Sequence, residues 1–341
     1  MLLPEVLFTG SGDAIYVADY ATVHLAAADA AGKRLIFPSN QTYAVTSALT
    51  IPGGCYVEGN GSTIKFPDNS TTTTTSDWSV VTTGSNVTFD NLRFDGNVQN
   101  QGGVWSQHRH NLRISGSASN VTVKGCTFVN MIGDGIYIST TGSNIDVILG
   151  NTFTANSSAR NRNGVSIIEG RDVTVDGNTF TDCARGGMPG AIDVEPNSPS
   201  QTIDNIVITN NTVTHANFSD GTMWGIIAWL GANPASGIEI ANNNISGSGL
   251  TSGVLVGGPK GGPFSSATGL HVHDNNIHDL NPDYSIGVEL DYWTGVTIEN
   301  NTITNVQYGI SNYQACILSS TGNTFTGIGN NHIVNDNPHC S

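Results

Sequence analysis

Two acidic residues stand two positions apart in the segment GAIDVEP, as Asp193 and Glu195. In a β-strand, residues two apart share one face, and the rise per residue places their Cβ atoms about 6.5–7 Å apart. Neighbouring carboxyl groups push each other's pKa values apart, so one can hold a proton near neutral pH while the other is ionised. The pair is therefore a candidate for acid–base catalysis. In glycosidic-bond hydrolysis a separation of about 6.5–9.5 Å leaves room for a water and predicts inversion.

The elements that must position this pair repeat along the chain. From residue 86 onward one phrase recurs in forms such as NVTVKGCTF and GVTIENNTI, and each copy is followed by a second phrase such as GIYIS or GVELD. Both phrases alternate apolar and variable residues with a period of two, which is typical of β-strands. The asparagine at the centre of the first phrase recurs at Asn151, Asn178, Asn211, Asn243, Asn275, Asn301 and Asn323.

These asparagines are 22 to 33 residues apart, and no helical pattern separates the strands. That spacing predicts a coil of parallel strands stacked on itself, with the asparagines bonded to one another along the axis. Each asparagine is expected to take the left-handed backbone conformation that the sharp turn needs.

With these repeats, the sequence resembles the right-handed parallel β-helix proteins of the pectin-lyase-like superfamily over nearly its whole length. The resemblance implies an all-β, right-handed parallel β-helix solenoid in a single domain, 1–341. Within it, 1–80 would form an N-terminal cap helix and irregular first coils, and 81–341 regular coils.

The segment from Asp19 to Gly32 predicts the short helix, with Asp19 as its N-cap and Gly32 as its stop. The resemblance implies that this helix covers the N-terminal end of the coil. The polar segment 68–79 predicts a surface excursion.

Strand alternation predicts which side chains point away from the coil. Ile192 and Val194 would fill the interior, so Asp193 and Glu195 would face outward. Equivalent positions in successive coils, about 4.8 Å apart, form three outward columns. The middle column is Arg113, Tyr137, Ser166, Asp193, Ile227, Leu255, Glu289 and Ser311. The column after it is Ser115, Ser139, Ile168, Glu195, Trp229, Gly257, Asp291 and Tyr313. The column at the strand entrance is His110, Asp134, Asn163, Gly190, Trp224, Ser252, Ile286 and Tyr308. Long loops beside these strands are expected to form the two sides of a groove over this face.

Further candidate residues surround the acidic pair on this face. Asp134, about 9–10 Å away along the axis by the coil spacing, and Glu169, one coil earlier, are the other candidate catalytic acids. Arginine pairs with carboxylate or sulfate groups, and aromatic rings stack on sugars, so both types are candidate substrate-binding residues. These residues are His110, Arg113, Tyr137, Arg162, Arg185, Trp224 and Trp229. Glu289 and Asp291 repeat the acidic pair three coils on, as a second acidic patch, a cation site or a solubility feature.

The site predicts a carbohydrate-active enzyme that cleaves a polysaccharide by carboxylate acid–base glycoside hydrolysis. The arginines favour an acidic polymer. One alternative is a polysaccharide lyase or uronate epimerase in the same groove, with His110, Arg113 or Tyr137 taking the C5 proton. Another is a non-catalytic glycan-binding adhesin or phage tail protein. The NTD, DD, GHG and RIK segments of polygalacturonase-like members are absent, so the resemblance transfers no residue roles.

The charge and hydrophobicity of the chain argue against two classes of binding partner, nucleic acids and membranes. The net charge is −15, and residues 186–341 hold Lys260 alone against 12 acids, which argues against nucleic acid. No apolar run approaches the ~20 residues of a membrane span, so no membrane partner is expected. The opening MLLPEVLF lacks the basic start of a secretory signal. The expected location is nevertheless extracellular, secreted or virion-associated, as a monomer or homotrimer.

Neither cysteine nor histidine spacing indicates a metal site. The five cysteines include no CxxC pair, and a disulfide between Cys316 and Cys340 is one possible tie for the C-terminus. We therefore expect no metal ligands and no required cofactor. Calcium is kept as a possible ion, because pectate-lyase-like proteins of the superfamily bind it with acidic residues.

Overall fold

The computed structural model describes residues 13–71, 79–102, 106–155, 162–183, 190–216, 223–230, 235–258, 268–291, 294–313 and 316–336. Parallel strands of successive coils pair along a common axis, with three strands to each regular coil. The chain is a right-handed parallel β-helix with a short helix near its N-terminus, as predicted.

Three parallel sheets run along the solenoid. Sheet 1 contains Leu49–Ile51, Val81–Thr83, Leu112–Gly116, the first part of Ile136–Ile148, the first part of Val165–Asp176, Gly190–Val194, Trp224–Trp229, Ser252–Gly257, Ile286–Asp291, Tyr308–Tyr313 and Asn331–Asp336. Sheet 2 contains Ala14–Tyr16, Arg34–Ile36, Tyr56–Glu58, Val87–Asp90, Val121–Lys124, the second parts of the same two long strands, Ile203–Thr209, Ala235–Ala241, Thr268–His273, Thr294–Glu299 and Cys316–Thr321. Sheet 3 contains Thr42–Ala44, Thr63–Lys65, Arg93–Asp95, Thr127–Val129, Thr152–Thr154, Thr179–Thr181, Thr212–Thr214, Asn244–Ser246, Asn276–His278, Thr302–Thr304 and Thr324–Thr326.

The N-terminal helix is shorter than predicted and has a different cap. It spans Val23–Ala28 and buries Val23, Ala26 and Ala27. Its N-cap is Thr22, whose extended backbone lets the hydroxyl accept the N–H of Leu25 at 3.3 Å. The predicted cap, Asp19, instead ends the 3-10 helix Val17–Asp19, so that assignment was wrong. A second 3-10 helix among the described residues is Val98–Asn100.

The interior is filled by the apolar members of each strand. Ile192 and Val194 are completely buried in one continuous hydrophobic cluster, together with their counterparts in neighbouring coils. On sheet 3 four phenylalanines stack along the axis with ring centroids 4.6–4.7 Å apart, namely Phe94, Phe128, Phe153 and Phe180. Burying a side chain of this kind stabilises the fold by about 1.5–3 kcal/mol, so the interior holds the coils in register.

The predicted asparagine ladder is present. From Asn151 to Asn323 the amide nitrogen of each asparagine donates to the side-chain oxygen of the next, at 2.9–3.1 Å. The expected backbone conformation was wrong, because the left-handed residue is the one before the ladder asparagine. Gly150, Gly177, Asn210 and Asn242 have φ between 54° and 82° at this position.

Two other predictions fall on parts of the chain that are only partly described. Residues 72–78 of the predicted surface excursion lie outside the described residues, whereas Thr71 and Ser79 at its edges are buried. The side chains of Cys316 and Cys340 also lie outside the described set. Cys55, Cys126 and Cys183 are free and buried.

Candidate active site

The outward columns predicted on sheet 1 are present. Strand register aligns Arg113 with Tyr137, Tyr137 with Ser166, and Ser166 with Asp193. The same column continues through Ile227 and Leu255 to Glu289. Asp193 therefore lies outside the tube, between the buried interior residues Ile192 and Val194.

One residue of the neighbouring column was placed wrongly. Between Ile138 and Ser139 the register shifts, so that Ser139 lies opposite Glu169 rather than Ile168. Such an irregularity inserts one extra residue into a strand and re-aims the side chains that follow it. Ile168 is buried but does not belong to the interior hydrophobic cluster, and Glu169 is partly exposed.

Asp193 is completely buried, although it faces away from the interior. Its Oδ2 accepts a hydrogen bond of 2.9 Å from the amide of Asn163, and its Oδ1 has no hydrogen-bond partner among the described residues. Burial, and then repulsion from Glu195, raise the pKa of Asp193 well above the ordinary value, although Arg162 opposes the shift. Asp193 is therefore a buried acid that stays protonated at pH values at which an exposed aspartate would be ionised.

Glu195 is the more accessible member of the pair. It follows the strand Gly190–Val194, its backbone N–H donates to the carbonyl of Ile167 at 3.1 Å, and it is partly exposed. Burial raises the pKa of Glu195; Arg162 lowers it and Asp134 raises it further. A partly exposed carboxyl group with a raised pKa can hold a proton and still reach a bound ligand.

Asp134 is buried within an ionic network. Its Oδ1 lies 3.5 Å from Nε of Arg162, and its Oδ2 lies 3.1 Å from Nδ1 of His110. Burial alone would raise the pKa of Asp134, but the charge of Arg162, aided by the hydroxyl of Ser166, outweighs it, so the pKa lies below the ordinary value. Burial likewise lowers the pKa of His110, which favours the neutral ring. Arg162 thus neutralises Asp134. Asp193 and Glu195 also lie close enough to Arg162 to raise its pKa.

Tyr137 and Arg113 lie beside this network. The ring of Tyr137 stacks on His110 with centroids 4.3 Å apart, and the guanidinium of Arg113 lies 5.6 Å from the centre of the same ring. Burial raises the pKa of Tyr137, so its phenol stays protonated at neutral pH. Arg113 is partly exposed and forms no salt bridge within the described part of the chain, which leaves its charge available to a ligand.

Asn163 is a site residue that sequence reasoning placed in a column but gave no role. It is completely buried, and its amide nitrogen donates to both Ser166 and Asp193 at 2.9 Å. Its backbone N–H also donates to Oδ1 of Asp134 at 3.4 Å. Asn163 thereby links the ionised Asp134 to the protonated Asp193. The only sequence signal for this role was its position between the two acids in neighbouring columns.

The remaining predicted residues are distributed as follows. Trp224 and Trp229 lie on sheet 1, partly exposed, in the coil after Asp193. Arg185 lies outside the described residues, as do most of the loops that were expected to wall the groove, so the groove stays a prediction. Within the described ranges no three His, Cys, Asp or Glu side chains form a group that could hold a metal ion.

Asp193→Asn is expected to stabilise the protein at neutral pH by about 1–3 kcal/mol. Because the folded state raises the pKa of Asp193, its contribution to stability is full below the unfolded-state pKa and declines as pH rises toward the folded-state value. Asparagine cannot ionise, and it can still accept the hydrogen bond from Asn163. Urea unfolding at several pH values would measure the gain, which should vanish in acid.

Asp134→Asn is the matched control with the opposite sign. The pKa of Asp134 is lowered, so its stabilising contribution is present at neutral pH and is lost in acid. The substitution also leaves Arg162 without its carboxylate. A gain of stability in Asp134→Asn, or none in Asp193→Asn, would contradict these protonation states.

Comparison with known proteins gives one family match. The model of the family described as "Adenovirus EB1 55K protein / large t-antigen" matches residues 33–222, more than half of the chain. The chain belongs to this family. No curated protein matches the sequence.

Solved structures share the fold of this family member at low sequence identity. PfbA, a surface adhesin of Streptococcus pneumoniae, has a TM-score of 0.63 at 13% identity, covering 94% of this chain and 93% of its own. The A-module of a mannuronan C-5 epimerase of Azotobacter vinelandii has a TM-score of 0.64 at 20% identity, covering 95% and 96%. The endo-xylogalacturonan hydrolase of Aspergillus tubingensis has a TM-score of 0.58 at 13% identity, covering 92% and 91%.

These similarities identify the fold as that of the pectin-lyase-like parallel β-helix proteins. Within the described residues, no helix is both long and apolar enough to cross a bilayer.

Proposed function

We propose that this protein binds a polysaccharide along the outward face of sheet 1 and hydrolyses its glycosidic bonds, with Glu195 as the proton donor. The observation that carries the proposal is the state of Glu195, which is partly exposed, has a raised pKa and lies beside the ionised Asp134 and the protonated Asp193. A protonated carboxyl group at the substrate surface is what cleavage of a glycosidic bond requires.

The second carboxylate of the reaction is Glu169. It is partly exposed at the same end of sheet 1 in the preceding coil, where the register shift turns it outward. It would activate water or attack the sugar directly. Asp193 is buried and its hydrogen-bond partner is the amide of Asn163, so we assign it to the hydrogen-bond network behind Glu195 rather than to contact with the sugar.

The accessible groups favour hydrolysis over elimination or epimerisation. Both alternatives need a base that removes the C5 proton of a uronate. Tyr137 has a raised pKa and keeps its own proton, and His110 is only 2% exposed. The guanidinium of Arg113, which forms no salt bridge with the described residues, still suits a carboxylate on the substrate, so an acidic polymer is the proposed substrate.

The fold comparisons support a polysaccharide ligand without selecting the reaction. The similar solved structures include a surface adhesin, a mannuronan epimerase and a xylogalacturonan hydrolase. We accordingly propose an extracellular location, secreted or virion-associated.

Incubation with a panel of neutral and acidic polysaccharides separates the candidate functions. Hydrolysis is expected to produce new reducing ends without the ultraviolet absorbance of an unsaturated sugar. A lyase would give both signals. An epimerase would change the uronate composition without new ends, and an adhesin would bind without changing the polymer. Any of these three results would overturn the proposal.

Calcium does not fit the reaction at this site. Calcium needs six to eight oxygen ligands, whereas the carboxylate of Asp134 is paired with Arg162 and that of Asp193 is bonded by Asn163. We propose that cleavage is independent of calcium, and a chelator is therefore expected to leave the rate unchanged.

A further inference from the structure

A second cluster of acids and aromatic rings lies on sheet 1 toward the C-terminus. Glu289 and Asp291 occupy adjacent outward positions of the strand Ile286–Asp291, and both are partly exposed. The hydroxyl of Ser252, in the preceding coil, donates to Oε2 of Glu289. Burial raises the pKa of Glu289 and, together with Glu289, raises that of Asp291 to about 6.

Two tryptophans flank these acids on the N-terminal side. Trp229, Gly257 and Asp291 are aligned in one column. A Cβ added at Gly257 would lie 3.0 Å from the ring of Trp229 and 2.9 Å from Cβ of Asp291. The missing side chain thus lets the indole lie against the sheet next to the carboxyl group of Asp291. Trp224 is aligned with Ser252 and lies close enough to Glu289 to lower its pKa.

Two tyrosines contribute from the C-terminal side. Tyr308 is aligned with Ile286 in the next coil, and its ring lies 5.9 Å from that of Tyr284, which is 53% exposed. The charges of Glu289 and Asp291 reach Tyr284 and add to the burial that raises its pKa. The acids therefore lie between two pairs of partly exposed aromatic rings.

The cluster has no basic partner in the described part of the chain. Neither Glu289 nor Asp291 forms a salt bridge there, and Lys260 is the only lysine or arginine between residues 186 and 341. Aromatic faces attract a cation within about 6 Å of the ring centroid, and neighbouring carboxylates add Coulomb attraction. Negative charge combined with open ring faces matches an ammonium group carried on an apolar body.

The position fits a subsite of the proposed groove. Asp193, Ile227, Leu255 and Glu289 follow one another in one column, so the two acidic clusters are three coils, or about 14 Å, apart. Ile227 and Leu255 between them are buried, yet neither belongs to the interior hydrophobic cluster. In the column beside them Glu195, Trp229 and Asp291 are partly exposed, and Trp229, Gly257 and Asp291 are aligned, so a polysaccharide that passes Glu195 would reach the second acidic cluster along that column.

We propose that Trp224, Trp229, Tyr284, Tyr308, Glu289 and Asp291 form a subsite for an ammonium-bearing sugar, such as a glucosamine unit of a polysaccharide. This inference rests on the proposed function for the presence of a saccharide chain, and it extends the substrate class. Together with Arg113 at the other end of the column, it makes the substrate a polymer that carries both carboxylate and ammonium groups.

The test compares binding of a glucosamine oligosaccharide with that of its fully N-acetylated counterpart by calorimetry. The wild-type protein is expected to bind the free amine about tenfold more tightly. The double variant Glu289→Gln/Asp291→Asn should lose this preference, whereas Trp229→Ala should weaken binding of both sugars. Asp204→Asn/Glu239→Gln removes the same charge from sheet 2 and is the matched control. Thermal unfolding checks that each variant is folded.

The pH dependence gives a second readout. A bound cation favours the ionised form of Asp291, so the preference for the amine should grow as pH rises through about 6 and fall again at higher pH, where the ammonium group of the sugar loses its proton. Among the described residues, Glu289, Tyr284 and Tyr308 are the other titratable groups facing the site, and the raised pKa of Tyr284 keeps its phenol neutral in this range. Equal affinity for both oligosaccharides, or a preference that survives in the double variant, would overturn the inference.

The two proposals fail in different ways. If Glu195→Gln still cleaves while the amine preference depends on Glu289 and Asp291, the catalytic assignment is wrong and the subsite stands. If cleavage is instead lost only in the Glu289→Gln/Asp291→Asn variant, the second cluster is catalytic and the subsite assignment is wrong.

Discussion

Glu195→Gln is expected to slow polysaccharide cleavage by about 10²–10⁴-fold, the range that a positioned general acid contributes. Glutamine has nearly the same shape but cannot transfer the proton that the leaving oxygen needs. Because only the proton is removed, binding of the intact polymer should persist. Initial rates of reducing-end formation, with affinity measured separately, check the two parts of this expectation.

Two variants accompany this measurement. Glu239→Gln makes the same chemical change on sheet 2, where Glu239 contacts His273, and should leave the rate unchanged. Asp193→Asn should keep activity but shift the pH–rate profile, because the carboxylates of Asp193 and Glu195 repel each other when both are ionised. A Glu195→Gln variant with the wild-type rate would exclude Glu195 as the proton donor, whatever the other variants show.

The direction of each side chain on sheet 1 could be predicted from sequence because a strand has a strict period of two. That period placed Ile192 and Val194 inside and Asp193 outside without knowledge of the neighbouring coils. The period breaks where a residue is inserted, as at Ile168. There the sequence SIIEG offers two apolar residues in a row and does not say which one is extra.

Burial of outward residues could not be predicted in the same way. Asp193, Ser166 and Ile227 all face away from the tube, yet each is almost completely buried. The alternation of a strand predicts on which face of the sheet a side chain lies. It does not predict whether that face is covered, because the covering segments have no sequence periodicity. Alternation likewise could not decide whether Arg162 neutralises Asp134 or binds substrate, because Arg162 precedes its strand rather than belonging to it; the structure pairs it with Asp134.

Asn243→Ala is expected to destabilise the protein by about 3–5 kcal/mol, because several buried polar groups lose their partners at once. The Asn243 amide nitrogen donates to the carbonyl of Ile208 and to the side chain of Asn275, at 2.9 and 3.0 Å. Its oxygen accepts both the backbone and the side-chain N–H groups of Asn211 at 3.0 Å. Alanine leaves these groups buried, and each unsatisfied group costs about 1–3 kcal/mol.

The next residue provides the control. Asn244 lies on the outward face of sheet 3, where its Oδ1 accepts from Asn276 in a partly exposed position. Water can replace that bond, so Asn244→Ala should shift the urea midpoint only slightly. In a solenoid each coil is stabilised through its neighbours, so the loss at Asn243 should appear as unfolding of the surrounding coils at lower urea. Equal midpoints for the two variants would mean that the ladder follows the turn geometry rather than stabilising it.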